Sequence, residues 1–287
     1  MFLLLGWATV LGAVLGGYIF SHGQMAMLWV PGEYMLIGGA AVGFAVAACP
    51  PAVLKLMGAQ VMQAIKGSPY SKDAYMDLMK ALYELLLVAR EQGVVGIEEH
   101  VSDPTASSIF SKYPTFLGNH HAVAFMQDAL RPLIDGKVKG DQLRNTLNDD
   151  IGRMHHHHQA PIGVLNKIGD AMPAIGIVAA VEGIIITMGF IAADKATIGI
   201  MVGHALVGTM FGILASYGFI QPLAVNMDFI MEDEIAYYDV MSNIIVSYAT
   251  GAPPGMAAEA GRRAVPSDRQ PSAEELETLL KSLGKKG

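Results

Sequence analysis

Residues 170–223 constrain the fold of this chain more than any other stretch. Residues 171–193 (AMPAIGIVAAVEGIIITMGFIAA) are apolar except for Glu182, and residues 196–223 carry no strongly polar side chain but His204 and Gln221. Each run can cross a hydrocarbon core of about 30 Å at ~1.5 Å per residue, and the few residues between them predict a helical hairpin. Pro173, at the start of the first span, and Pro222, at the end of the second, then meet the same membrane face. Proline is tolerated in a first helical turn and often marks a helix end, which is one reading of both. The other is that they set where stiff spans join a cytoplasmic mass, so that movement on one side reaches the other. Small residues line both runs: Gly176, Ala180, Gly183 and Thr187 in one, Gly203, Gly208, Gly212 and Ala215 in the other. Such faces let backbones approach in lipid and predict an assembly of helices.

Composition agrees. A chain of 287 residues that is 52% hydrophobic and 16% charged is a polytopic membrane protein and not an ordinary soluble domain. Cys49, the only cysteine, excludes an intrachain disulfide and a cysteine-based metal site. A net charge of −7 argues against nucleic acid as a partner, because phosphate-binding surfaces carry a basic excess. No catalytic constellation, cofactor motif or metal-ligand set is expected.

Residues 1–20 form an uncharged run without a basic n-region or a small-residue cleavage site, and predict a retained first span. Residues 21–32 read as a loop, Glu33 as a membrane-boundary residue, and 34–49 as a second span ended by Pro50 and Pro51. Of the nineteen Lys and Arg residues only Lys195 falls in a hairpin loop, and basic excess marks the cytoplasmic side. Both termini are therefore expected inside. The predicted fold class is all-α: a four-span integral membrane protein with a helical cytoplasmic domain between spans 2 and 3. Its parts are spans 1 and 2 (1–51), the cytoplasmic domain (52–169), spans 3 and 4 (170–225), and a cytoplasmic extension and tail (226–287).

The insertion lacks the alternation of strands. Residues 71–101 place Leu78, Leu82, Leu85, Leu86 and Ala89 on one helical face, with charge on the other. Arg90 and Glu98, eight residues apart, would stand about 80° apart on an ideal helix, with Gly93 and Gly96 weakening the segment between them. Read without context they are solvated charges, where exposed pairs are worth ~0–1 kcal/mol. Residues 102–114 read as a loop, followed by helical runs at 120–134 and 141–153. The tract His155 to His158 is a compositional hint of metal binding, but no companion ligands stand nearby, and a polar linker before the third span is the preferred reading. Residues 226–248 extend the fourth helix, and 251–271, rich in Gly, Pro and Ala, read as a flexible linker. Ser272 and Glu275 resemble a capping box ahead of a short amphipathic helix carrying Leu276, Leu279, Leu280 and Leu283.

Three motifs carry a family resemblance: AREQGVVGIEEH (89–100), GDAMPAIGIVAAVEG (169–183), and the fourth-span run from Gly203 through GTMFG to Gln221 and Pro222. Over essentially its whole length the chain resembles the A subunit of the bacterial flagellar stator, the MotA/PomA family. The resemblance implies a ring of five A subunits around the helices of two B subunits in the inner membrane. The B helix supplies the ion-binding aspartate, and torque is delivered to the rotor protein FliG. It further implies rotor-facing roles for Arg90 and Glu98 and coupling roles for Pro173 and Pro222. Asp128 and Asp150 match less decisively, as additional cytoplasmic charges. In the ion pathway, Thr209 matches a family threonine, while Ala180 stands where sodium-driven members carry a second one. Sodium needs several oxygen ligands whereas a carboxylate can simply take a proton, so the expected ion is H⁺. The energetics suit small steps, since one charge moving through ~100 mV releases about 2.3 kcal/mol.

Glu182 departs from the family pattern, which has an apolar residue there. An intramembrane carboxylate is by default a functional candidate. A hydrogen-bonded structural glutamate is the preferred reading, with His204 its candidate partner. The alternative class is a relative that energises an envelope process, of the ExbB/TolQ type, although those chains have three spans. A solute transporter would show related halves and broken spans, and neither is present. A purely structural scaffold would leave the matching charges and prolines unexplained.

Overall fold

The computed structural model describes residues 2–138 and 140–284, and every regular element among them is helical. In chain order the helices are α1 (Phe2–Phe20), α2 (Pro31–Ala48), α3 (Pro51–Lys66), α4 (Lys72–Gln92), α5 (Glu98–Ser102), α6 (Pro114–Leu117) and α7 (His120–Ile134). They are followed by α8 (Gly140–Gly189), α9 (Lys195–Leu214), α10 (Gln221–Ala249), α11 (Pro254–Ala264) and α12 (Ala273–Gly284). Four helical stretches are long and apolar enough to cross a membrane, as the composition requires.

The chain divides into two compact units, each built from discontinuous segments. The first, residues 1–67 and 158–230, holds α1, α2, α3, the second half of α8, α9 and the start of α10. Its side chains point outward far more than inward: Phe2, Leu5, Met35, Ile185 and Leu206 are all exposed, as apolar residues meeting lipid should be. A small apolar cluster of Ile37, Ile168, Met172 and Ala179 fills the space between α2 and the hairpin. The span begins earlier than 34, because Pro31 takes the first helical position, where its missing N–H costs nothing. Glu33 consequently falls inside the first turn of α2 and is buried.

The second unit, residues 68–157 and 231–287, has a conventional core. Tyr75, Leu78, Met79, Leu82, Leu85 and Leu86 of α4 are fully enclosed, packed with Phe110, Phe116, Met126, Tyr238 and Ile244. Local signals fix the ends of these helices. Ser71 caps α4 by accepting from the Ala74 amide at 3.3 Å, and Asn119 caps α7 through Ala122 at 3.1 Å. α4 stops where Gly93 adopts φ +81°, so 71–101 is not one helix. A single 3-10 turn (Val94–Ile97) intervenes before α5.

Three further expectations are corrected. The histidines form no linker: α8 runs unbroken from Gly140 to Gly189, with His155 to His158 as ordinary helical positions and Pro161 and Pro173 both inside the helix. Pro222 likewise stands inside helical structure, at the second position of α10, and not at a helix end. Residues 251–271 are no flexible linker. Pro254 opens α11, and Gly261 brings that helix so near α10 that a Cβ there would overlap Ile244. The tail does form the predicted capping box, Ser272 accepting from the Glu275 amide at 3.1 Å while Glu275 accepts from Ser272 N–H at 2.7 Å. α12 then rests on the second unit, with Lys72 of α4 bound to Glu275 at 2.8 Å.

Candidate functional site

The closest backbone approach in the first unit runs along the seam between α8 and α9. At Gly176 an added Cβ would stand 2.9 Å from the Gly208 carbonyl, at Gly212 2.6 Å from the Met172 carbonyl, and at Gly183 2.7 Å from the Ala205 Cβ. Backbone meets backbone along this line, which is why only glycine fits there. The Thr209 hydroxyl faces the Gly176 carbonyl at 3.4 Å, a long and weak contact that leaves its oxygen lone pairs available. Ala179 is fully enclosed, while Ala180, the next residue, is half-buried on an adjoining face. Ala180 and Thr209 thus lie on the two helices that form the seam.

At one end of the seam stand both prolines, and each costs its helix a hydrogen bond. Pro173 has no N–H to give to the carbonyl four residues earlier, at Gly169. That carbonyl accepts instead from the Ser216 hydroxyl of the opposite helix at 2.7 Å. Beside it the Gln221 side-chain amide donates to the Asp170 carboxylate at 3.3 Å. Pro222 would clash with the carbonyl of Gly218, and the helix before it widens into a π segment, Ala215–Ile220, that absorbs the misfit. The two prolines therefore lie at matching ends of paired helices, as the hairpin reading requires, and each modifies its helix from within. Ser216 was not singled out from the sequence. The signal that could have found it is a carbonyl orphaned four residues before a proline in a buried segment, which needs a donor from elsewhere.

Toward the opposite end, where the backbone turns between Gly189 and Lys195, Glu182 and His204 line one cavity of about 530 Å³ with Glu33. The suspected proximity of Glu182 and His204 is present, and the third member is Glu33. Only 8% of the Glu33 surface is exposed, and its Oε2 has no hydrogen-bond partner. Thr187, which the sequence placed on the small face, is fully buried and spends its hydroxyl on the Gly183 carbonyl at 2.8 Å.

The charged candidates belong to the second unit. Arg90 is exposed in the last turn of α4 and borders a cavity of about 350 Å³ with Leu133, Tyr248, Pro253 and Pro254. Glu98 is exposed at the first position of α5, beyond the Gly93 break, so the ideal-helix angle between it and Arg90 does not apply. Asp128 is exposed on α7, and Asp150, half-buried on α8, pairs with Arg153 one turn on. Arg90, Glu98 and Asp128 form no ion pair among the described residues, which leaves their charge directed at solvent or at a partner. His155 contacts Glu232 at 3.3 Å, and among the described residues no three His, Cys, Asp or Glu side chains converge as metal ligands.

Family models account for both parts of the chain. Residues 4–93 match the motility protein A N-terminal model and residues 118–239 match the MotA/TolQ/ExbB proton channel family. The glycine-seamed spans therefore define a channel-forming subunit of that proton channel class. Among its relatives, motility protein A of Salmonella typhimurium is 32% identical over 283 residues, covering 99% of this chain and 96% of that protein. Chemotaxis protein LafT of Vibrio parahaemolyticus is 35% identical over 276 residues, covering 96% and 97%. The chain belongs to the motility protein A family, and full-length identity to motility proteins sets aside the envelope-energising alternative. Two solved structures share the fold. The Campylobacter jejuni MotAB structure superposes with TM-score 0.78 at 17% identity, covering 94% of this chain and 98% of the other. The Bacillus subtilis MotAB stator complex gives 0.72 at 20%, covering 89% and 92%.

Proposed function

We propose that this chain is a flagellar stator subunit and works with a MotB-like B subunit, five copies to two, as a proton channel in the bacterial inner membrane that turns proton-motive force into torque on FliG. Both termini and the second unit lie in the cytoplasm, where the basic residues concentrate. The observation that carries the coupling reading is the pair of altered helix segments at Pro173 and Pro222, joined by the hydrogen bond from Ser216 to the Gly169 carbonyl. An α-helix that has lost a backbone bond and a π segment beside it are deformable points in otherwise stiff rods. A proton arriving at the B-subunit aspartate need change only the balance of hydrogen bonds there to shift the helices. Thr209 and Ala180 flank that path. Thr209 offers one hydroxyl and Ala180 none, too few oxygens to strip a sodium ion of its water, which supports the proton.

Arg90 and Glu98 contact the rotor through long-range charge, with Asp128 and Asp150 as additional charges. Exposed side chains of opposite sign guide encounter and register without a dry interface that would have to be torn apart at each step. In cells, Arg90→Glu with Glu98→Lys should reduce swimming severely, and compensating charge reversals on FliG should restore part of it. Swimming should collapse with a protonophore and persist without sodium. Unchanged swimming in the double charge reversal removes the rotor assignment, and arrest on sodium withdrawal removes the proton.

A further inference from the structure

The cavity bounded by α2, α8 and α9 holds two carboxylates and an imidazole inside a membrane bundle, and nothing in the coupling scheme uses them. Glu182 sits about 10 Å from the end of α8 at Gly189, and His204 about 14 Å into α9 from Lys195, at ~1.5 Å per residue. The cavity is thus roughly a third of the way through the membrane from the hairpin turn, on the side away from the prolines. Glu33 reaches it from the first turn of α2.

Glu33 is seated there by construction. Its carboxylate lies over two glycines, one on each helix of the seam: a Cβ on Gly208 would overlap Oε2, and one on Gly183 would stand 3.3 Å from Oε1. A side chain at 208 would force the carboxylate to move, and one at 183 would crowd it. Glu33 is more than nine-tenths buried, yet Oε2 has no partner. A buried acceptor left unsatisfied is costly, and more so when charged, so a purely structural glutamate would be better replaced by an apolar residue. Glu182 is exposed on the cavity wall and close enough to Glu33 for the two charges to interact. His204, half-buried, completes the polar part of a lining that is otherwise Val30, Leu36, Ile186 and similar side chains.

Among the described residues those three are the only titratable groups on the lining. Tyr34, beside Glu33, spends its hydroxyl on the Leu28 carbonyl and its ring on Phe211. Asp194 at the turn is occupied capping α9 through the Ala196 and Thr197 amides, both at 3.0 Å. The two carboxylates and the ring nitrogen do not converge as metal ligands. They suffice for a proton, which needs one lone pair at a time.

We propose that Glu33, Glu182 and His204 form a proton-holding chamber on the hairpin-turn side of the bundle, in which Glu182 collects a proton and Glu33 stores it beside Gly208 and Gly183. Glu182 takes H⁺ from a hydronium ion, leaving water. The proton then passes to Oε2 of Glu33, directly or through the His204 imidazole, and Glu182 returns to the carboxylate. Nothing is oxidised, and the O–H bond broken is replaced by the one formed. The idea rests on the channel carrying protons, and its test separates the two.

The experiment uses the complete A–B complex in native membranes and in proteoliposomes. Dicyclohexylcarbodiimide, which reacts with protonated carboxyl groups in apolar surroundings, should modify Glu33 or Glu182, as read by mass spectrometry, with labelling that declines as pH rises. Proton flux measured against external pH should fall roughly threefold in Glu182→Gln at alkaline pH and much less at acidic pH, because capture from scarce hydronium becomes limiting. Glu182→Asp should restore the profile. Co-purification with the B subunit confirms that Glu182→Gln, a change at an exposed position, leaves the assembly intact. Absence of any adduct on either glutamate, or a flux profile in Glu182→Gln superimposable on wild type, overturns the chamber. Wild-type vesicles that carry sodium and no protons overturn the proton channel instead, and the adduct then still decides whether the chamber holds a proton.

Discussion

The two units of this molecule are held together by opposite means. In the unit built on α4, α7 and α11, large side chains are enclosed: Tyr75, Leu78, Leu82 and Phe116 have no exposed surface. In the unit built on α1, α2, α8 and α9, the large side chains face outward and the buried line is glycine, at 176, 208 and 212. Water drives the first arrangement, since each buried leucine-sized side chain is worth about 1.5–3 kcal/mol relative to exposure. Lipid offers no such gain, because a leucine is as well solvated by acyl chains as by another helix. Close contact of backbones and the few polar bonds between helices must hold the spans instead. The same chain therefore reads leucine as cement in one unit and as coating in the other.

The sharpest way to break the comparison is to remove the same atoms from both units. Leu82→Ala, at a fully enclosed site, should cost about 2–5 kcal/mol through lost transfer energy and the cavity left behind. Leu5→Ala, on an outward face, should cost well under about 1 kcal/mol. Thermal unfolding of the detergent-solubilised chain separates the two. Equal losses would mean that the outward face of α1 is packed against something as firmly as a core.

Second in size is the converse change, adding an atom to the seam. The Cβ of Gly212→Ala would stand 2.6 Å from the Met172 carbonyl and 2.9 Å from the Gly176 Cα, and both are backbone that cannot rotate away. Overpacking of this kind costs about 1–3 kcal/mol and forces α9 off α8. The expected result is a reduced yield of A–B complex at normal expression of the A chain. Gly255→Ala, on α11 with open space around it, serves as the matched control and should be neutral or mildly stabilising. A neutral Gly212→Ala would show that the seam is looser than its glycines imply.

How far the sequence carried depends on which of these forces was at work. Periodicity located the α4 core because leucine at helical spacing has one meaning in water. The small-residue runs located the seam, since glycine in an apolar span has few other uses. What escaped was whatever depended on helix phase or on long-range docking. Ser216 meets Gly169 only because α8 and α9 have one particular rotation, which no local pattern encodes. Glu33 read as a boundary residue, and nothing local showed that the helix Pro31 starts would set its carboxylate against Gly183 and Gly208. The histidines looked like a linker by composition, but four helical residues on an unbroken α8 break no rule of helix formation. Residues 254–264 were misread for a related reason. Pro254 sits where a helix tolerates proline, and Gly261 supplies a close approach to Ile244, so the composition of a linker served a docked helix.

The smallest expected effect tests the margin of the water-type unit, where α12 has little core of its own. A helix of twelve residues is marginal in isolation, so it depends on its cap and on its contact with α4. Leu276 is buried, but Glu275 and Lys72 are both about half exposed, and screening keeps such a pair weak. Ser272→Ala removes the cap to the Glu275 amide and should cost at most about 1 kcal/mol, read as faster amide exchange confined to α12. The Lys72 ammonium and the Ser272 amide hold the Glu275 carboxyl below its ordinary value of 4.5. Because the native value is the lower one, this contribution is fully present above pH 4.5 and is lost as pH falls through the native value. Exchange in α12 should therefore rise on acidification before that of α4 does, and Lys72→Ala, which removes the largest cause of the shift, should blunt the rise. If α12 instead exchanges in step with Leu82 and its neighbours at every pH, the tail is part of the core, and the division between a cemented centre and a weakly tethered edge must be redrawn.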